Sequence, residues 1–422
     1  MVLQGLINVS SPVTLLLIIV GTTWGLTAGA LPGLSASMAV ILMLPFTYGM
    51  GAIQSVVVLV AVYVGAMCGG SISAILLKTP GTPSSVATTF DGYPMAMRGD
   101  APRAIGLSIT ASSVGGICSG LVMVTCAPLL AQWALKFQSA EFFALSLLGL
   151  SCIASIGSDQ PVKALLSACL GLLISTVGLD SISGAQRYTF NQQFLMNGID
   201  YIPVMIGAYA LAEVYRNILL NKKTQANTTS EAANNAAVGG SLVPTLVLGI
   251  PGGTVAAILL AAFTMHGLIP GPLLLRNQPD MLYSILFGMI VSSLLLFVVG
   301  IFVARQFSRI VTLPYPFLAT IIMILGLLGS YSLRNSIYDV MIMFGFSFLG
   351  FMFDKYGYST SSFILGIVLG AIAENGLRKQ MIVSGGSWTG FFTRPISLIV
   401  LIISVISFLT PLIRAKRKVK SN

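Results

Sequence analysis

Histidine is almost missing from this sequence, and charge is scarce. Among 422 residues there is one histidine, His266, and only 8% are Asp, Glu, Lys or Arg. A soluble domain carries about 25% charged residues. A lone histidine cannot build a His-based metal cluster. The five cysteines (Cys68, Cys118, Cys126, Cys152 and Cys169) lie in apolar runs without CxxC spacing, so neither a disulfide frame nor a zinc site is indicated. HExxH, GxSxG and the P-loop are missing too. An intramembrane protease or transferase needs paired aspartates, a serine with histidine, or a metal cluster. The twelve acidic residues sit mostly at predicted loop edges and offer no such set. The composition therefore speaks against an enzyme and against any cofactor or metal.

What the sequence has is apolar length. Hydrophobic residues make up 55% of it, and the mean hydropathy is +0.92. Runs near the roughly 20 residues needed to cross a bilayer recur. They fall near 13–31, 53–77, 104–131, 140–157, 162–179 and 201–220, then near 233–249, 254–269, 281–304, 313–330, 337–353, 360–375 and 395–413. Some are half-spans or re-entrant pieces, so the expectation is an all-α polytopic membrane protein with roughly ten to twelve transmembrane helices. The net charge of +10 arises in loops and in the tail RAKRKVK, Arg414 to Lys420. Cytoplasmic loops collect Lys and Arg, which places this C-terminal tail in the cytoplasm and makes a nucleic-acid partner unnecessary. The first apolar run has neither a basic leader nor a small-residue cleavage site and reads as a retained helix.

One stretch breaks the pattern. LLKTPGTPSSVATTFDG, Leu76 to Gly92, places prolines, a glycine and hydroxyls directly after a membrane run. Proline removes a backbone donor, and non-helical backbone survives at membrane depth only inside protein or along a watery cavity. A similar stretch recurs: GGSISAILLKTPGTPSS begins at Gly69 and GGSLVPTLVLGIPGGTVAA at Gly239. Gly69, Gly70, Ser71 and Leu76 align with Gly239, Gly240, Ser241 and Leu246; after one inserted residue, Pro80 and Gly81 align with Pro251 and Gly252. The chain then divides into a first repeat, 1–220, a polar linker, 221–231, and a second repeat, 232–422. An earlier Leu-Pro-Gly at Pro32 and Gly33 has no counterpart before Gly239, where the polar NKKTQANTTS stands instead. Either the protein lacks that element or the sequence is incomplete near 221–231.

A helix that starts inside the membrane offers unpaired N–H groups and the positive end of its dipole, a receptor for a carboxylate. Gly81, Thr82, Pro83, Ser84 and Ser85 fit the first turn of one such helix, and Pro251, Gly252, Gly253 and Thr254 that of a second. Asn234 and Asn235 precede the second glycine pair and have amides that donate to carboxylates. These are the substrate-binding candidates. Pro32, Gly33, Lys78, Thr88, Asp91 and Glu231 are supporting or coupling-ion candidates, although Asp91 and Glu231 also suit helix caps at the membrane surface. Two repeat-related helix starts facing a central site, in repeats of inverted topology, suit alternating access better than an anion channel.

These residues together resemble the large membrane subunit of the tripartite tricarboxylate transporter family. The similar stretches include GALPGLSA, GGSISAILLKTPGTPSSVATTFDGYPMAMRGDAPRAIG, VGLDSISGAQRYTF, EAANNAAVGGSLVPTLVLGIPGG, HGLIPGPLL and AENGLRKQMIVSGG, and they extend over nearly the whole chain. The resemblance implies a bacterial inner-membrane secondary transporter that imports di- or tricarboxylates by sodium or proton symport without ATP hydrolysis. It also implies two partners, a small membrane subunit and a periplasmic solute-binding protein. The family's signatures fall on Pro80 to Ser85 and on Ile250 to Gly253, and its members carry a second Leu-Pro-Gly element that this sequence lacks before EAANNA.

Overall fold

A computed structural model describes residues 2–31, 34–77, 85, 88–156, 160–180, 182–220, 231–310 and 315–421; for 77, 152–156, 217–220, 231–232, 303–310, 315–318 and 410–421 the backbone alone is described. The chain is helical almost throughout. Its first part holds α1 (Val2–Ser10), α2 (Pro12–Ala30), α3 (Ala36–Thr47), α4 (Ala52–Leu77), α5 (Thr88–Met95), α6 (Ala101–Ala134), α7 (Ser139–Ile156) and α8 (Pro161–Ser175). A two-strand hairpin, β1 (Gly178–Leu179) and β2 (Gln186–Arg187), pairs Gly178 with Arg187 and Leu179 with Gln186. There follow α9 (Tyr201–Met205), α10 (Ala212–Leu220), α11 (Glu231–Leu248), α12 (Thr254–Met265), α13 (Leu274–Asn277), α14 (Pro279–Ile310), α15 (Tyr315–Arg334), α16 (Ile337–Tyr356), α17 (Thr360–Val383), α18 (Thr389–Phe392) and α19 (Pro395–Ser421).

Among the described residues, six helices are long and apolar enough to cross a bilayer, and a further six are apolar but shorter. The protein is an all-α, multi-pass membrane protein. Two compact units form: Met1–Ala134 with Glu213–Leu333, and Leu135–Ala212 with Arg334–Asn422. Each draws on both halves of the sequence.

In the first unit α4 is the axis, buried along nearly all of Ser55–Ile75. Small residues at four-residue spacing let α2 lie directly against it. A Cβ at Gly21 would come 2.8 Å from the Val58 carbonyl oxygen, at Gly25 2.2 Å from that of Val62, and at Gly29 2.3 Å from that of Ala66. Gly65 and Gly69 make the same approach to Thr22 and Leu26. The residue numbers of the touching pairs rise together, so α2 and α4 run parallel and α3 returns between them. Lipid is as apolar as leucine, so close backbone packing of this kind is what holds such helices together.

α11 runs antiparallel to α4: Asn234 Nδ2 donates to the Met67 carbonyl at 3.0 Å, and Tyr63 Oη lies 3.3 Å from Ser241 Oγ. Gly239 meets α6 at Ser119, whereas Gly69, which aligns with it in the sequence, meets α2. The two aligned glycines therefore have different neighbours.

The second unit uses the same device. A Cβ at Gly171 of α8 would be 2.1 Å from the Phe363 carbonyl oxygen of α17, and one at Gly366 2.3 Å from that of Ala168. α7 packs on α17 at Gly376, and α16 lies against Gly207.

Candidate functional site

Two helices of twelve residues, α3 and α12, pack together in the first unit. At 1.5 Å per residue each is about 18 Å long, little more than half the hydrocarbon core. Their C-terminal ends are side by side, with Thr47 Oγ1 2.9 Å from His266 Nε2, while Ser55 Oγ donates to the Thr47 carbonyl at 3.0 Å near the start of α4. Helices this short do not cross the hydrocarbon core by themselves. Trp24 of α2 donates through Nε1 to the Ala39 carbonyl at 3.0 Å, one turn into α3. At the start of α12, Gly252 is packed on Ser241, whose hydroxyl faces Tyr63 halfway along α4.

The break before α12 has local causes. Gly249 closes α11 with a left-handed φ of 70°. Pro251 then supplies no N–H. Thr245 ties the turn down, donating its hydroxyl to the Ser241 carbonyl at 2.6 Å and accepting the Gly252 N–H at 3.2 Å. Gly271 N–H satisfies the Leu246 carbonyl at 2.9 Å. Gly253 begins the new helix in extended backbone and, as a glycine, gives the first turn no side-chain cap. α3 differs: Ser35 Oγ accepts the Met38 N–H at 3.3 Å. Every residue from Val255 to Phe263 is buried, yet Gly252 is exposed and Gly253 and Thr254 are half-buried. The positive end of α12 is thus accessible, as is its last turn at Thr264, while the helix between them is enclosed.

Asn234 and Asn235 are buried and tie α11 to its neighbours, Asn234 to Met67 of α4 and Asn235, through Nδ2 at 3.1 Å, to the Ser112 carbonyl of α6. The Asn235 Oδ1 is buried without a hydrogen bond. Ser85 is buried, Thr88 is half-buried and Asp91 is exposed in the first turn of α5; of Glu231 only the backbone is described. Pro32, Gly33, Lys78, Gly81, Thr82, Pro83, Ser84 and the linker 221–230 lie outside the described residues. Tyr63, Ser241, Thr245, Thr47 and His266 were not candidates from the sequence. Each is a single polar residue among apolar neighbours, and that was the available signal.

In the second unit an ion-pair network joins the hairpin to α17. Asp180, buried, pairs with Arg378 and lies 3.6 Å from Arg187; Arg187 pairs with both oxygens of Glu374. The backbone N–H of Ser183, then Arg378 and the Ile182 N–H, hold the Asp180 carboxyl well below the usual range. Glu374 raises the Arg187 guanidinium. In the same unit Arg334 stands between Asp200 at 3.8 Å and Asp339 at 3.2 Å, and burial pushes the Asp200 carboxyl up.

The model of the tripartite tricarboxylate transporter TctA family matches residues 15–230 and 223–365. The chain belongs to the TctA family. This is a transporter family, and this member spans the membrane many times. An uncharacterized 52.8 kDa protein from the TAR-I ttuC′ 3′ region of Agrobacterium vitis is 31% identical over 478 aligned positions, covering 96% of this chain and 95% of that protein. A second uncharacterized protein, from the TAR-II ttuC′ 3′ region of the same organism, is 36% identical over 190 residues, 44% of this chain and 78% of that protein. No solved structure matches. The 478 aligned positions exceed the 422 residues here, so the TctA-family relative carries residues that this chain lacks. The family match divides at 223–230, in the polar stretch before α11.

Proposed function

We propose that this TctA-family chain imports di- or tricarboxylates by symport with sodium ions or protons, and that it is not an enzyme. One carboxylate is held by the first-turn N–H groups of α12 at Gly253 and Thr254. The observation that carries this reading is the start of α12, accessible, without a side chain at its cap residue Gly253 and halfway along α4, while Val255 to Phe263 behind it are buried. A positive helix end inside a membrane needs an anion or water, and a discontinuous helix is the common transporter device for an anionic substrate. The antiparallel run of the repeat-related α4 and α11 supports inverted repeats, with Pro80 to Ser85 supplying the second anion cradle. The substrate arrives from a periplasmic binding protein, a small membrane subunit completes the complex, and the basic tail faces the cytoplasm of the bacterial inner membrane.

The test is uptake into vesicles holding this chain with its small subunit and binding protein, using labelled citrate and other di- and tricarboxylates. Accumulation above the equilibrium level is expected only under an inward sodium or proton gradient. Equilibration without a gradient would instead identify a channel.

A further inference from the structure

We infer that the second unit holds an anionic phospholipid in an apolar groove between α8 and α16. The groove has a volume of about 470 Å³ and almost no polar lining. Leu166, Leu170 and Leu173 of α8 form one wall, and Met352 and Phe353 of α16 the other. That volume lies within the range of small-ligand sites, and nothing in the lining asks for a polar guest. In a bilayer such a groove takes acyl chain.

The mouth determines which lipid. Tyr356 and Tyr358 stand there, and tyrosines favour the headgroup level. Lys163 Nζ donates to the Tyr356 carbonyl at 2.7 Å and lies 5.5 Å from the Tyr358 ring centre, which among the described residues leaves two of its protons to face outward. Lys355 Nζ is 5.7 Å from the Tyr356 ring centre, and its side chain is exposed. Asp354, also exposed, is the one acidic neighbour on α16. Two ammonium groups above an apolar slot match a phosphate above acyl chains.

The leaflet agrees with this. α16 ends and α17 begins at the groove mouth. α19 runs parallel to α7, with Arg394 on Glu141 and Ser404 on Ala144, so it heads for the same end and takes the basic tail there. Basic segments mark the cytoplasmic side, whose lipid surface is negative.

Cys169 lines the groove and is exposed, so it reports occupancy directly. The full chain, with Cys169 as its sole thiol, is stripped of lipid in neutral detergent and placed in vesicles of phosphatidylcholine alone or mixed equally with phosphatidylglycerol. Maleimide labelling of Cys169 and the lipids retained on gentle re-extraction are then measured. Phosphatidylglycerol is expected to be retained over phosphatidylcholine and to slow labelling several-fold. Lys163→Gln and Lys355→Gln should each reduce the preference about fivefold, the equivalent of ~1 kcal/mol per lysine near an anionic surface. Leu170→Trp should fill the groove and release both lipids. Among the described residues Lys355 makes only the ring contact, so Lys355→Gln keeps the test sound if Lys163→Gln fails to fold. Equal retention of the two lipids, or an unchanged preference in Lys355→Gln, would overturn the inference. So would protection of Cys169 in lipid-free protein, because a second copy or another chain would then cover the groove.

Discussion

Gly252 and Gly253 are adjacent in sequence but face different surroundings, and this separates substrate binding from folding. A Cβ at Gly252 would lie 2.7 Å from both the Cα and the carbonyl oxygen of Ser241, so backbone must move to admit it. A Cβ at Gly253 meets nothing within 4 Å, and Gly253 has φ 174°, an extended conformation open to any residue. Gly253→Val should therefore leave the fold intact; glycine replacements at compatible sites stabilise by about 0.4–1 kcal/mol. Gly252→Ala should cost about 1–3 kcal/mol by overpacking. If a carboxylate sits on the first-turn N–H groups, the valine occupies its place. A hydrogen bond to a charged group contributes about 1.5–3 kcal/mol, so losing one lowers kcat/KM on the order of 10- to 100-fold. The assay is initial uptake of labelled citrate at sub-saturating concentration, normalised to embedded protein, beside a melting curve in detergent. Gly253→Val should melt like the parent and transport poorly, and Gly252→Ala should melt earlier. A Gly253→Val protein that transports within about twofold of the parent would refute carboxylate binding at the start of α12.

Three further outcomes are expected. Gly25→Ala should lower the melting temperature or abolish expression, because its Cβ would meet the Val62 carbonyl oxygen at 2.2 Å and force α2 off α4; an unchanged melting curve would mean the two helices are not packed so closely. Asn235→Leu removes the bond to Ser112 but also an unpartnered buried oxygen, so the net loss should stay within about 1 kcal/mol; a loss three times larger would show that the amide holds more than one partner. Asp180 has a depressed pKa, so its contribution is present above the ordinary carboxylate range and is lost only as pH falls through its own lower value. Amide exchange across 178–187 should accordingly be as well protected at pH 5 as at pH 7 in the parent and lose protection at both in Asp180→Asn; loss of parental protection between those values would contradict the depressed pKa.

By itself the sequence determined the solvent and the helical class, because long apolar runs with almost no charge leave a chain no other way to satisfy its backbone in lipid. It also determined where helices must stop: Pro251 lacks an N–H and Gly249 admits a left-handed φ, and both are local properties legible without coordinates. Glycines stand at four-residue spacing at 21, 25 and 29 and at 65 and 69, but only the structure shows that α2 and α4 use them against each other. Only the tertiary structure decided that α3 and α12 lie side by side, because their Thr47–His266 bond joins residues 219 positions apart. It likewise decided that Gly69 faces α2 while Gly239, aligned with it in the sequence, faces α6. Tyr63, Ser241 and Thr245 were invisible as site residues because one hydroxyl in an apolar run looks like any other. The Asp180, Arg187, Glu374 and Arg378 network was invisible for the opposite reason. Charges far apart in sequence acquire a partner only when the helices that carry them pack, and that packing depends on backbone contacts at glycines such as Gly171 and Gly366, whose partners no local pattern specifies.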